Sequence, residues 1–186
     1  MGFHTFDPES ADKLEDESRY RYLSREELVG ALDLDANRSA AVADFGSGTG
    51  FYTDDVAPFA GEVRAVDVQS EMHELYREKG VPENVSLVTA DIGDLPFADG
   101  ELDAAFSTMT FHEFASEESL AEVARILRDG ARLVVGDWSA NGDGESGPPV
   151  GERYDRDEAV ELLEDAGFEI RRADERPETF FVVADR

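Results

Sequence analysis

Residues 41–53 read AVADFGSGTGFYT. The apolar run Ala41 to Phe45 predicts a short buried strand that carries Asp44. It leads into Gly46, Gly48 and Gly50, and Phe51 then opens a helical pattern to Phe59, interrupted by Pro58. A strand that turns through closely spaced glycines into a helix has the pattern of a ligand loop in a doubly wound sheet, although loops use glycine freely and the segment alone does not decide it. Glycine lets the chain turn tightly and lets a ligand approach the main chain. The start of the helix offers free N–H groups to a carboxylate or a phosphate.

The alternation continues outward from this loop. Val63 to Val68, Val85 to Thr89, Leu102 to Ser107 and Arg132 to Trp138 predict further strands. Ser70 caps a helix that runs to Lys79 and stops at Gly80 and Pro82. Ser116 to Arg128 predicts a helix closed by Asp129-Gly130, and Asp155 to Ala166 a helix stopped by Gly167. Phe168 to Ala173 and Thr179 to Val183 flank a short turn with Pro177, so they are expected to pair antiparallel. Upstream, residues 9–34 predict one helix, with Leu28, Ala31 and Leu32 at a helical period broken by Asp33 to Asn37. Residues 139–152, SANGDGESGPPVGE, form a loop of the length that is usually a linker or functional. The pattern implies an α/β protein with ligand sites at the carboxyl ends of parallel strands.

Composition narrows the possibilities. The chain has 186 residues, about one domain, with 44 acidic and 17 basic residues and a net charge of −27. At 41% hydrophobic it has the means to bury a core. So negative a field disfavours nucleic acid and anionic membrane as partners. No apolar run reaches the roughly 18 residues of a membrane span, and the first residues lack a signal-peptide layout, so a cytoplasmic location is expected. There is no cysteine, which removes disulfides, thiolate nucleophiles and Cys-ligated metals; three histidines leave little for a His-rich metal site, and no metal is expected. Only Lys13 and Lys79 are lysines, and the acid is spread along the whole chain. This resembles haloarchaeal cytoplasmic proteins, in which high salt screens self-repulsion.

Two more acids join Asp44 at strand ends. Asp67 closes VRAVDV and is placed to accept hydrogen bonds from ribose hydroxyls. Asp91-Ile92 follows the third strand and offers an acceptor and an apolar wall to an adenine. A nicotinamide dinucleotide loop would read G-x-G-x-x-G/A and need a small residue at position 51, where this chain has Phe51. The loop also lacks the Lys-Ser/Thr of a phosphate-binding P-loop.

DFGSGTG, VDVQSEM, ADIGDLPFADGELDAAFS and LRDGARLVVGDW together resemble the successive motifs of class I S-adenosylmethionine-dependent methyltransferases, most closely the small-molecule enzymes of the ubiquinone/menaquinone type. The resemblance covers about residues 40–186. It implies a single-domain, Rossmann-like, seven-stranded and mostly parallel sheet with an antiparallel last strand and helices on both faces. It divides the chain into an N-terminal helical cap segment, 1–38, and a cofactor-binding domain, 39–186. It further implies that Asp44 and the backbone of Gly46, Ser47, Gly48 and Gly50 hold the methionine end of the cofactor. Asp67 would take the ribose, Val68 and Asp91-Ile92 the adenine, and Ser107, Thr108 and Met109 would line the sulfonium. The implied cofactor is S-adenosylmethionine, leaving as S-adenosylhomocysteine, and the partner is a small-molecule methyl acceptor.

His112, in STMTFHEF just after the fourth strand, is the candidate general base, with Glu113 behind it. Tyr20, Tyr22, Met109 and Arg153 are candidate substrate residues, the last in the GPP-x-x-x-R run Gly147 to Arg153. The absence of cysteine argues against arsenite as acceptor, and Ser107-Thr108 stands where metal-dependent catechol chemistry would want acids. Two other classes are compatible with the pattern: a catalytically silent protein of this fold that binds the cofactor or its product, and a nucleotide-dependent oxidoreductase.

The charge yields a prediction of its own. Thermal unfolding followed by circular dichroism is expected to show a midpoint that rises steeply from dilute buffer to molar KCl. A flat midpoint would show that the acidity is not an adaptation of stability to salt.

Overall fold

The computed structural model describes residues 13–34 and 39–186. Seven strands form one sheet in the order β3-β2-β1-β4-β5-β7-β6. They are β1 (Ala41–Phe45), β2 (Glu62–Asp67), β3 (Val85–Thr89), β4 (Leu102–Thr108), β5 (Leu127–Trp138), β6 (Glu169–Glu175) and β7 (Thr179–Asp185). Strands β1 to β5 pair parallel, and β7 runs antiparallel to both β5 and β6. The expected α/β class, the mostly parallel sheet and the closing antiparallel hairpin are all present.

The helices are α1 (Arg25–Leu32), α2 (Phe51–Val56), α3 (Ser70–Lys79), α4 (Phe111–Phe114), α5 (Glu117–Ile126) and α6 (Arg156–Asp165). Side chains alternate along each strand, so one strand feeds two cores. In β7, Phe180, Val182 and Ala184 pack with Phe111 of α4, Leu120 and Val123 of α5 and Leu163 of α6. Phe181 and Val183 point to the other face, with Leu28 of α1, Tyr52 and Val56 of α2 and Tyr76 of α3. The edge strand β6 carries Glu169, Arg171, Arg172, Asp174 and Glu175, a charged rim that discourages pairing with another sheet.

Three boundaries differ from the sequence pattern. The helix expected over 9–34 is broken within its described part: a 3-10 turn spans Glu17–Arg21, and Ser24 then sits extended and caps α1 by accepting the Glu27 N–H at 3.2 Å. Residues 9–12 and the end of the expected break, 35–37, lie outside the described residues. Helix α5 stops at Ile126 because Leu127 is already paired with Leu102, so Asp129-Gly130 lies inside an irregular start of β5, not at a helix end. The chain leaving β4 forms the extra short helix α4, which carries His112.

Order reverses between β1 and β4, where β2 lies to one side and β4 to the other. Crevices at the carboxyl ends of such strands are where open α/β sheets bind ligands. The fold therefore brings together the chain after β1, β2 and β4.

Candidate cofactor and active site

The turn after β1 is built for close approach. Gly46, Gly48 and Gly50 adopt φ of 75°, 54° and 83°, a left-handed region costly for other residues. A Cβ on Gly46 would lie 2.3 Å from the Thr110 side chain, and one on Gly50 would lie 2.1 Å from the Tyr76 ring. The N–H groups of Gly46 and Ser47 both reach the Val66 carbonyl at 2.9 Å, which fastens the loop to the end of β2.

Asp67 completes that fastening. One carboxylate oxygen accepts the Gly48 N–H at 2.8 Å and the other accepts the Gln69 N–H at 2.9 Å. Each oxygen keeps a further lone pair for a hydroxyl partner. Burial raises the Asp67 pKa, against the pull of these two amides. Val68 follows it and, at 54%, is the most exposed large apolar side chain among the described residues. Asp91 lies two residues past the end of β3, exposed, and accepts the Gly93 N–H at 2.8 Å; Ile92 beside it is buried in the core.

Asp44 sits beneath the loop and is nearly inaccessible. Oδ2 accepts a hydrogen bond from the Thr53 hydroxyl at 2.6 Å, while Oδ1 is buried with no hydrogen-bond partner. Burial lifts its pKa to about 7; the Thr53 bond opposes this and the Asp67 charge adds to it. An unpartnered buried carboxylate oxygen is costly unless something satisfies it. The Ser47 hydroxyl is buried and unpartnered in the same loop. These orphaned acceptors and the glycine cradle fit the polar, cationic end of an amino-acid group.

The candidate base lies across the crevice. His112 Nδ1 is 2.9 and 3.1 Å from the two carboxylate oxygens of Asp137, and the His112 backbone N–H donates to the same carboxylate at 2.7 Å. A carboxylate only accepts, so Nδ1 carries the proton and the lone pair of the neutral ring sits on Nε2. Burial pushes the imidazole pKa down, but the hydrogen bond and charge of Asp137, with Glu113, outweigh it and the net shift is upward. Glu113 Oε1 is 3.9 Å from Nε2, and burial raises the Glu113 carboxyl to about 7. Met109 holds a left-handed φ of 60° in the turn that leads to this helix, and its N–H is tied to the Gly136 carbonyl at 2.7 Å. Strain of this kind collects at functional turns.

The remaining candidates divide. Ser107 is fully buried and donates to the Phe45 carbonyl at 3.0 Å, joining the ends of β1 and β4. Tyr20 stacks near Phe51 and donates to Asp55 at 2.8 Å. Tyr22 packs edge-on to Trp138 and donates to Ser146 at 3.0 Å, so it joins the N-terminal segment to the 139–152 loop. Arg153 is buried and gives its donors to the carbonyls of Ser139, Ser146 and Pro148. Its Nη1 also faces Glu178 Oε2 at 3.6 Å, so the guanidinium is committed to the loop and to Glu178 on nearly every side. The sequence reading missed Asp137, although it is another acid at the end of a strand, and it missed Thr53 and Arg19, which lie beside the loop.

A family model described as a methyltransferase domain matches residues 43–135. The structure is similar to that of an S-adenosylmethionine-dependent methyltransferase from Aquifex aeolicus, with a TM-score of 0.86, 32% identity, and coverage of 97% of this chain and 98% of that one. The sequence is 36% identical over 110 residues to a biotin biosynthesis bifunctional protein from Cellvibrio japonicus, covering 59% of this chain and 22% of that protein. It is 33% identical over 110 residues to a ubiquinone/menaquinone biosynthesis C-methyltransferase from Ectopseudomonas mendocina, covering 55% and 43%. The chain thus spans less than half the length of these curated relatives.

The buried Asp44 yields a test of stability. Its folded pKa of about 7 exceeds its ordinary value of 3.8, so the fold prefers the protonated acid. The cost of ionising it is absent below the ordinary value, grows as pH rises, and is complete above the folded pKa. Asp44→Asn removes that cost. Its gain in thermal midpoint over the parent is expected to be larger at pH 8 than at pH 5 by about 5 °C, which roughly 1–2 kcal/mol produces in a chain of this size. Equal gains at both pH values would show that Asp44 is not destabilised by burial.

Proposed function

The chain belongs to the S-adenosylmethionine-dependent methyltransferases, and on that premise we propose that it transfers the cofactor's methyl group to a small-molecule acceptor by in-line displacement. The observation that carries the reading is the pairing of an orphaned, buried Asp44 oxygen with a glycine loop whose Gly48 N–H is held by Asp67. Asp44 and the loop backbone would hold the amino-acid end of the cofactor and Asp67 the ribose hydroxyls. Val68, Asp91 and Ile92 would take the adenine. When bound, the cofactor supplies an activated methyl on a cationic sulfur, so the protein's work is orientation and electrostatics.

His112 is the group that would move a proton. With Nδ1 held by Asp137, Nε2 is free to accept one from an acceptor hydroxyl, amine or acidic C–H. Asp137 is then a positioning residue that fixes the ring and its tautomer. Charge favours a small acceptor: with −27 on the chain and Asp44, Asp67, Glu113 and Asp137 around the crevice, a polyanion would be repelled. The junction of Tyr22 with the 139–152 loop through Ser146 supports an acceptor enclosed between those two segments.

Transfer of a radiolabelled methyl group from S-adenosylmethionine to a fractionated metabolite extract tests the activity. With the acceptor in hand, His112→Gln is expected to lower kcat/KM by about 100- to 10,000-fold. The raised imidazole pKa means the base is neutral only at higher pH, so activity rises with pH through a value above 6.5. Asp137→Asn removes the charge that raises it and is expected to move that limb to lower pH. No transfer to any fraction would reject the activity, and a pH limb unmoved by Asp137→Asn would reject the base assignment.

A further inference from the structure

An amino-acid tail is a zwitterion, so a site for it needs a cation as well as an acid. Asp44 supplies the acid. Among the described residues near the loop, Lys79 is paired with Glu15 at 3.1 Å and Asp54 at 2.8 Å, and Arg25 with Asp55 at 3.9 Å. Arg19 is different. It sits on the 3-10 turn Glu17–Arg21, outside every motif of the loop. Its guanidinium lies 5.1 Å from the ring centre of Phe51 and 5.2 Å from that of Tyr52, the two residues that follow Gly50. One donor goes to the Leu14 carbonyl at 2.7 Å, and among the described residues Arg19 forms no ion pair. Most of its fork is uncommitted.

The neighbourhood fixes where that fork can act. Leu14 lies against Gly48, 3.3 Å from where a Cβ would be. Glu15, beside it, accepts a hydrogen bond from Thr49 of the loop. The backbone carbonyl of Arg19 is itself 3.4 Å from the Tyr52 hydroxyl. Arg19 is thus tied to the same few residues that shape the loop, and the Asp44 charge is among those that act on it. A guanidinium stacked on aromatic rings is weakly hydrated and rigid, and its planar fork matches a carboxylate.

We propose that Arg19 binds the carboxylate of the cofactor's amino-acid tail, opposite Asp44, which takes the ammonium. This rests on the cofactor reading above. It gives the N-terminal segment a recognition role: the tail is held between an acid below the glycine loop and a cation above it. In a chain with 44 acids, a carboxylate ligand would otherwise meet repulsion at this crevice.

Two ligands separate this role from mere support of the loop. S-adenosylhomocysteine carries the tail; 5′-methylthioadenosine has the same nucleoside thioether without it. Both are titrated calorimetrically into the full chain and into Arg19→Gln at one fixed KCl concentration. Arg19→Gln is expected to lose about 10- to 100-fold in affinity for S-adenosylhomocysteine, with methylthioadenosine changed less than about twofold. Arg19→Lys, which keeps the charge but not the fork, is expected to lose less for S-adenosylhomocysteine and serves as the test if the glutamine variant does not fold. Equal losses for both ligands, or no loss for either, would overturn the assignment and leave Arg19 as a brace of the segment. A parent protein that binds neither ligand would overturn the cofactor reading, and the Arg19 assignment with it.

Discussion

The hydrogen bond from the Gly48 N–H to the Asp67 carboxylate is the constraint on which the site depends. It joins the turn after β1 to the end of β2, and the Gly46 and Ser47 amides reinforce it at the Val66 carbonyl. Together they hold a left-handed backbone that only glycine takes easily. Bonds to a charged acceptor are stronger than neutral ones, so a single acid can fix the loop and still offer lone pairs to a ligand. With the loop fixed, Asp44 stays buried beneath it and the aromatic pair Phe51 and Tyr52 is presented to the N-terminal segment.

The acids of the crevice are arranged at a cost. Asp44 and Glu113 are both raised to about 7 by burial, and Asp67 is raised as well. Groups shifted in this way mark sites where stability has been given up for binding or chemistry. A cationic ligand would relieve part of that repulsion. His112 answers the same logic on the other side, since Asp137 holds the ring through both its backbone and its Nδ1. The crevice thus joins the acids Asp44 and Asp67, on β1 and β2, to the His112–Asp137 pair on α4 and β5.

Much of this was legible in the sequence because the alternation of apolar strands and amphipathic helices is strong, and because acids at the ends of β1 and β2 and just past β3 stand at a recognisable spacing from the glycines. What escaped has physical reasons. Ser24 reads as one more polar position of a helix, and only its extended backbone and its bond to Glu27 reveal a cap. Leu127 belongs to a strand through its pairing with Leu102, a contact that no local pattern announces. His112 and Asp137 are 25 residues apart and meet only because β4 and β5 lie side by side. Arg19 looks like one of many arginines until the fold lays it over Phe51 and Tyr52. Arg153 reads as a substrate candidate from its place in the GPP-x-x-x-R run, and only the fold shows its donors holding the 139–152 loop together.

A glycine loop braced in this way is expected to take a sulfur-containing adenosyl amino acid and to refuse a dinucleotide. Calorimetric titration of the full chain in molar KCl with S-adenosylhomocysteine and with NAD tests it most directly. Saturable binding of S-adenosylhomocysteine and no heat with NAD are expected. Binding of NAD by folded protein that does not respond to S-adenosylhomocysteine would contradict it.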